Sequence, residues 1–122
     1  MVRKLNLLGI DFEDWYHPEL IRKHQKQKSP EPIIVNGIDK ILDWLRKNDT
    51  YATFFVVGEL LEFKPELLDK ILENGHEIGF HTMFHNRLDE TNYQEIFSDE
   101  LKKFSELTNK KSKGFRAQSF SL

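Results

Sequence analysis

The fold is decided by residues 52–58, which read ATFFVVG. β-Branched and aromatic side chains fill most of this run, and a glycine closes it. Runs of this kind are typical of a strand that is covered on both faces, as strands of parallel sheets are. We therefore predict that residues 52–57 form an interior strand of a parallel sheet.

Strand and helix patterns alternate on both sides of this run. The predicted strands cover residues 4–10, 52–57, 77–80 and 114–117, and the predicted helices run from residue 36 to Asn48-Asp49, from Pro65 to Asn74-Gly75, and over residues 92–108. This order predicts repeated βα units around a parallel sheet, which is the α/β class. Four parallel strands can form an open sheet, but they are too few to close a barrel of about eight strands.

Length and composition exclude several classes of protein. The 122 residues correspond to one domain, and 39% hydrophobic with 31% charged residues is the balance of a soluble globular protein. With a net charge of −2, the chain does not resemble the strongly basic proteins that bind nucleic acids. Because the chain has no cysteine, any metal must be held by histidine or carboxylate side chains.

The first ten residues combine two basic residues with a short apolar run, as a signal peptide does. The run is interrupted by Asn6 and followed at once by acidic residues, and it lacks a cleavage site of small residues. No stretch approaches the roughly 20 apolar residues of a membrane-spanning helix. We expect a buried strand here and a cytoplasmic protein without a membrane partner.

Polar residues follow the predicted strands. Residues 11–14 read DFED after the first strand, residues 81–85 read HTMFH after the third, and Arg116 and Gln118 lie at the fourth. In parallel α/β folds, ligands bind at the carboxyl ends of the strands. These residues are therefore expected to meet at one edge of the sheet.

His81 and His85 have the spacing H-x-x-x-H. On a helical turn, side chains four residues apart share a face and can hold one ion. A third, oxygen-donating ligand would leave coordination positions open, as in a catalytic site, and Asp14 is the best candidate for it. The spacing also occurs by chance, so a structural role for the pair stays open.

The other histidines have simpler interpretations. His76 is predicted to pack at the entry to the third strand, and His24, which lies among lysines, is predicted to be solvated. His17 could line the cleft together with Trp15 and Tyr16, or it could simply pack there.

Three motifs, in order, resemble those of polysaccharide deacetylases of the NodB-homology type, carbohydrate esterase family four. Residues 11–17 (DFEDWYH) are similar to the first motif in its D-x-E-D-W form, residues 75–85 (GHEIGFHTMFH), preceded by ATFFVVG, to the second, and residues 114–121 (GFRAQSFS) to the third. The resemblance covers nearly the whole chain, and three motifs together are far more specific than any one of them. It implies a single deacetylase domain over residues 1–122 with the fold of a distorted (β/α) barrel, here incomplete.

The resemblance also implies a site and a reaction. A metal, usually zinc, would be held by Asp14, His81 and His85, and the chemistry would be hydrolysis of N-acetyl groups on amino sugars. By motif position the catalytic base would be Glu13, with Asp11 as the competing candidate, because the two point to the same side of an extended strand. Arg116 matches the arginine that orients the base.

Two departures from the family pattern stand out. Gln118 occupies the position of a proline, which would fix the backbone of the turn that shapes the groove. The chain ends at Leu122, before the later motif whose histidine acts as general acid, so we expect an N-terminal portion truncated after the third motif. Tyr16, His17 or a second subunit would have to replace that acid. Open barrel edges also predict self-association or marginal stability.

Three functions are compatible with these patterns. The first is a metal-dependent deacetylase with a carbohydrate substrate and no nucleic-acid partner. The second is a catalytically incomplete fragment or pseudoenzyme that keeps a metal-binding or carbohydrate-binding site. The third is an α/β domain in which the histidine pair is structural. Metal content separates the third from the others, and turnover of an acetylated sugar separates the first from the second.

Overall fold

The computed structural model describes residues 5–26, 30–88 and 92–121, with the backbone alone at Phe120. Its sheet has three parallel strands in the order β1-β2-β3, formed by Gly9–Phe12, Thr53–Val56 and Glu77–Phe80. Helices separate the strands along the chain, so the α/β class with parallel units is confirmed. Compared with the closed sheet of a (β/α) barrel, this three-stranded parallel sheet is incomplete.

Five helices accompany the sheet in the part of the chain that the structure describes. They are α1 (Glu19–His24), α2 (Ile38–Lys47), α3 (Glu59–Phe63), α4 (Glu66–Glu73) and α5 (Tyr93–Leu107), with short 3-10 turns at Ile34–Asn36 and Gln118–Phe120. The predictions for α2, α4 and α5 are confirmed to within two residues at each end. The helices α1 and α3 were not predicted, because five or six residues are too few to display a helical period.

The first and last predicted strands differ from the structure. β1 begins at Gly9 and includes Asp11, whereas residues 5–8 lie outside it and Lys4 lies outside the described residues. The predicted strand over residues 114–117 is wrong, because only Phe115 pairs there, in an isolated bridge with Phe80. Gly114 has a φ of 69°, which interrupts an extended segment before a strand can form.

The core lies between the helices and one face of the sheet. Phe12, Phe54 and Phe80 project from the three strands and are at most 1% exposed. Apolar side chains of α2, α4 and α5 pack against them as one cluster; they include Leu42, Leu45, Leu67, Ile71 and Phe104. This burial supplies most of the stabilisation of the sheet.

The strands end at one level, which sets the position of the loops that follow. The ladder continues one step past the strands, since Val57 N–H donates to the Phe12 carbonyl (3.1 Å) and His81 N–H donates to the Val56 carbonyl (3.2 Å). Glu13, Val57 and His81 therefore leave the sheet side by side. This is the edge at which the polar residues were expected to meet.

Among the described residues, no helix combines the length and apolarity needed to cross a membrane.

Candidate metal centre

Glu13, His81 and His85 converge at this edge. Each offers one ligand atom, and these atoms lie within 4.8 Å of one another. Glu13 Oε2 lies 2.5 Å from His85 Nε2 and 3.5 Å from His81 Nε2. Both histidines are buried, whereas the glutamate side chain is 27% exposed, so the group is open on one side.

His81 is oriented by a backbone contact on the far side of its ring. It follows β3 directly, and its Nδ1 lies 2.6 Å from the Arg116 carbonyl. Because a carbonyl only accepts, Nδ1 carries a proton, and in the neutral ring Nε2 faces Glu13 with its lone pair. Metal-binding histidines are commonly oriented by such a second hydrogen bond. Burial lowers the pKa of His81, but Glu13, the Arg116 carbonyl and Asp11 outweigh it, so the pKa is raised and a proton competes for the site.

His85 reaches the same point from a loop. The helical turn expected for H-x-x-x-H is wrong, because residues 81–88 are irregular and Thr82 and His85 both have left-handed backbone angles, with φ of 61° and 59°. These two residues fold the loop back so that the imidazole rings of His81 and His85 lie 5.2 Å apart. The convergence is thus produced by backbone turns that H-x-x-x-H spacing does not encode.

Glu100 of α5 holds this loop in place. One of its oxygens accepts from Met83 N–H (2.7 Å) and the other accepts from the Asn86 side-chain amide (2.6 Å). This role of Glu100 was not predicted from the sequence. Its signal is a carboxylate on the apolar face of α5, three residues after Phe97 and four before Phe104.

The charge and geometry of Glu13 fit a divalent cation. Burial raises its pKa, but contacts with His81 and His85 outweigh this and bring the pKa to about 2, so the carboxylate is ionised at neutral pH. Glu13 Oε2 is buried, and among the described residues no hydrogen bond of acceptable geometry reaches it. One carboxylate and two imidazoles are a common ligand set of catalytic zinc.

Asp14 points away from this group. Its Oδ2 accepts hydrogen bonds from the backbone N–H groups of Ile33 (2.6 Å) and Ile34 (2.7 Å), and its Oδ1 accepts from Trp15 N–H (2.8 Å). The carboxylate is 3% exposed and ties the loop after β1 to the segment that precedes α2. The structure does not bring Asp14 to the two histidines, and its assignment as a ligand stays a prediction.

Asp11 and Arg116 form a pair on the face of the sheet that points away from the core. Arg116 Nη1 donates to Asp11 Oδ1 (2.7 Å), and the guanidinium lies 4.2 Å from the centre of the Phe55 ring. Gly9 makes room for it, because a Cβ there would lie 2.2 Å from Arg116 Nη2. Of the two candidate bases, Asp11 is therefore the one that the arginine contacts.

His17 packs behind the centre. It is 1% exposed, its Nδ1 accepts from Asp14 N–H (2.7 Å), and its Nε2 contacts the Glu59 carboxylate. Its ring also borders a cleft of about 390 Å³ lined by Tyr16, Arg22 and Phe84. His17 is thus packed in the interior, and Tyr16, but not Trp15, lines this cleft with it.

Four other residues singled out in the sequence lie outside the group formed by Glu13, His81 and His85. His76 is buried at the entry to β3, and His24 is exposed, both as predicted. Burial, Glu59 and Asp14 raise the pKa of Tyr16, so this phenol keeps its proton. Gln118 is fully buried, and neither polar atom of its side chain has a hydrogen-bond partner among the described residues.

Comparison with known sequences identifies related proteins. The family model described as polysaccharide deacetylase matches residues 15–119. The chain is 37% identical over 62 residues to the peptidoglycan-N-acetylglucosamine deacetylase PgdA of Listeria monocytogenes, covering 51% of this chain and 13% of that protein. It is 36% identical over 61 residues to a chitooligosaccharide deacetylase of a Bradyrhizobium strain, covering 50% and 28% respectively. The alignments thus span less than a third of these relatives.

Solved structures share the fold. The peptidoglycan deacetylase PdaC from Bacillus subtilis superposes with a TM-score of 0.67 at 24% identity, covering 95% of this chain and 50% of that one. A peptidoglycan N-acetylglucosamine deacetylase, Bc1960, gives a TM-score of 0.60 at 28% identity, covering 87% and 40%. A CE4 family pseudoenzyme from Bacillus anthracis gives 0.67 at 23% identity, covering 95% and 36%.

Proposed function

The chain belongs to the polysaccharide deacetylase family, and we propose that it acts in the metal-dependent hydrolysis of N-acetyl groups on amino sugars of a polysaccharide or its precursor. The observation that carries the proposal is the convergence of Glu13, His81 and His85 at the carboxyl edge of the sheet. Such edges are where parallel α/β proteins bind their ligands. The relatives named as deacetylases of peptidoglycan and chitooligosaccharides support an acetylated amino sugar as substrate.

We propose zinc as the metal, with Glu13, His81 and His85 as its protein ligands. A bound zinc ion would polarise the acetyl carbonyl and lower the pKa of water at the site. The partly exposed side of Glu13 leaves a direction from which substrate and water can approach. The buried histidines close the opposite side and keep bulk water from the ligands.

If Glu13 is occupied as a ligand, Asp11 becomes the candidate base. It lies two residues before Glu13 on the same side of the extended chain, and Arg116 orients its carboxylate at 2.7 Å. In this role Asp11 would accept the proton of the attacking water and return it to the sugar nitrogen as the C–N bond breaks, so that the products are acetate and a free amine on the sugar. The assignment predicted from motif position, with Asp14 as ligand and Glu13 as base, is the competing proposal.

The proposal is tested by metal content and acetate release. Purified 122-residue protein should bind about one zinc per chain, and His81→Ala or His85→Ala should abolish this binding. Asp11→Asn should keep the zinc and lower kcat about 10²–10⁴-fold on an acetylated chitin or peptidoglycan oligomer, as expected for loss of a general base. His76→Ala, which alters a buried histidine at the other end of β3, is the matched control and should keep the zinc.

A second function, a metal-binding pseudoenzyme, has one observation in its favour. The similar structures include a pseudoenzyme as well as deacetylases, so this fold occurs with and without activity. Stoichiometric zinc without acetate release from any acetylated oligosaccharide would favour this function. Protein that binds no zinc and is indifferent to His81→Ala would contradict both functions.

A further inference from the structure

We propose that His17, held by Glu59, is a positioning residue that fixes the Glu13–Asp14 segment at the metal centre. This inference rests on the proposed metal centre, and it concerns residues outside the three proposed ligands. The sequence motifs assigned His17 no definite role, and Glu59 was not identified at all. Their contacts connect the two loops that supply the ligands.

The first contact closes the turn that carries the carboxylates. Asp14 N–H donates to His17 Nδ1 (2.7 Å), and His17 N–H donates back to the Asp14 carbonyl (3.0 Å). The imidazole thus restrains the backbone at Asp14, directly after Glu13. Rotation of this peptide would move the Glu13 side chain away from the histidines.

The second contact sets which nitrogen of His17 carries the proton. Because Nδ1 accepts from a backbone N–H, the proton of the neutral ring lies on Nε2, and Nε2 faces the Glu59 carboxylate. The other neutral form would place two N–H groups against each other at Asp14. Glu59 therefore stabilises the one form of His17 that can hold Asp14.

The third contact carries this restraint to the histidine loop. Glu59 is the first residue of α3, and its N–H donates to the Met83 carbonyl, while Gly58 N–H donates to the Thr82 carbonyl, both at 3.0 Å. The His17 ring also stacks on the His85 ring, with centroids 6.0 Å apart and planes inclined by 28°. His17 and Glu59 thus contact both the loop after β1 and the loop after β3.

If His17 only filled space, an apolar side chain of similar size would serve equally well at position 17. Such a side chain cannot accept a hydrogen bond from Asp14 N–H. Asparagine can, because its Oδ1 takes the place of Nδ1, although it loses the contact with Glu59. Comparing His17→Leu with His17→Asn therefore separates hydrogen bonding from space filling.

Zinc affinity and amide exchange of the purified chain test the proposal together. His17→Leu should weaken zinc binding about 10–100-fold, the effect usual for residues that orient metal ligands. His17→Asn should recover most of this loss. In the metal-free protein, exchange of the Asp14 amide hydrogen should be faster in His17→Leu than in wild type and slower again in His17→Asn.

Two matched controls accompany these variants. His76→Leu removes a bond of the same kind, from Ala52 N–H to His76 Nδ1 (3.2 Å), at the opposite end of the sheet, and should leave zinc affinity unchanged. Glu59→Gln should weaken zinc binding, whereas Glu62→Gln on the same helix, which alters an ion pair with Lys103, should not.

The outcomes distinguish the two proposals. Zinc binding by His17→Leu as tight as wild type, or no recovery in His17→Asn, would overturn the positioning role while leaving the metal centre intact. Wild-type protein that binds no zinc, but whose Asp14 amide exchange still depends on His17 as described, would overturn the metal centre and retain the positioning of the segment.

Discussion

The two carboxylates that follow β1 face in opposite directions, although they are neighbours in the chain. Glu13 contacts the imidazoles of His81 and His85, whereas Asp14 accepts three backbone hydrogen bonds, two of them from Ile33 and Ile34. Alternation of side chains along an extended segment accounts for this divergence. At the scale of single residues, one acid therefore lies with the two imidazoles and the other lies against the backbone of Trp15, Ile33 and Ile34.

Substituting Glu13 and Asp14 one at a time tests whether the two acids have these different roles. Glu13→Gln should weaken zinc binding more than about 100-fold, beyond the range usual for residues that only orient ligands. Asp14→Ala should lower the free energy of unfolding by about 2–4 kcal/mol, because it leaves backbone donors unpaired at a buried site. Isothermal titration with zinc and urea denaturation measure the two effects. The opposite pattern, in which Asp14→Asn loses zinc and Glu13→Gln keeps it but loses activity, would establish the assignment by motif position.

His76 makes a separate prediction about pH. Burial lowers its pKa, and its Nδ1 accepts from Ala52 N–H, so the folded protein requires the neutral ring. The unfolded chain binds a proton more readily, and this contribution to stability is therefore present above a pH of about 6.5 and is lost as the pH falls below that value. Thermal melts of metal-free wild type and His76→Gln should differ less at pH 5.5 than at pH 7.5. A difference that grows on acidification would contradict the assignment.

The residue types at the centre were predictable from the sequence, but which of the two acids contacts the histidines was not. Spacing and position after β3 identified His81 and His85, and position after β1 identified an acidic segment. The choice between Glu13 and Asp14 depends on side-chain direction and on competition from the amides of Ile33 and Ile34, some twenty residues away. Contacts of such long range leave no local sequence pattern.

At the scale of elements, the loops after β2 and β3 are joined through Gly58. Its N–H donates to the Thr82 carbonyl at 3.0 Å, and a Cβ there would lie 2.2 Å from Met83 Sδ and 3.1 Å from a ring carbon of Phe104. The backbone of α3 can approach the histidine loop this closely only because residue 58 has no side chain.

Gly58→Ala should therefore disturb the centre without touching a proposed ligand. We expect a loss of stability of about 1–3 kcal/mol from overpacking, together with weaker zinc binding. Gly37→Ala is the matched control: its nearest contact is the Ile34 carbonyl at 3.3 Å, so it should be tolerated far better. Urea denaturation and zinc titration of the two variants make the comparison, and equal behaviour would show that the close approach is unimportant.

Among the helices, the success of prediction followed length and regularity. β3 was predicted with its observed bounds, and α2, α4 and α5 were found because several apolar positions repeat with the helical period. Residues 114–117 have the composition of a strand, but the backbone turns at Gly114 leave a single bridge at Phe115. Backbone turns that depend on tertiary contacts, there and at Thr82 and His85, were not predictable from composition.

At the scale of the whole molecule, the outer side of β1 is an exposed edge. β1 is the first strand of the sheet in the described part of the chain, and Leu5 and Leu7 just before it are 74% and 95% exposed. Unpaired strand edges beside apolar side chains favour association with another chain. We therefore predict self-association of the 122-residue protein through this edge.

Sedimentation velocity over a range of concentrations measures this association. Leu7→Lys should shift the distribution toward the monomer, because a charge at an edge disfavours strand pairing. Leu20→Lys, which changes a leucine that is 78% exposed on α1, is the matched control and should have little effect. A monomeric wild type at all concentrations would refute the prediction.

Because Glu13, Val57 and His81 leave the sheet side by side, the side chain at position 13 must have a certain length to reach the imidazoles. β2 separates the outer two, so their backbones stand two strand spacings apart, roughly 9–10 Å. A side chain at position 13 must reach across the middle strand to meet the imidazoles, and an aspartate would fall short by one carbon–carbon bond, about 1.5 Å. Glu13→Asp keeps the charge and shortens only this reach, so its zinc affinity should fall toward that of Glu13→Gln. The width of the sheet, rather than acidity alone, would then be what requires a glutamate at this position.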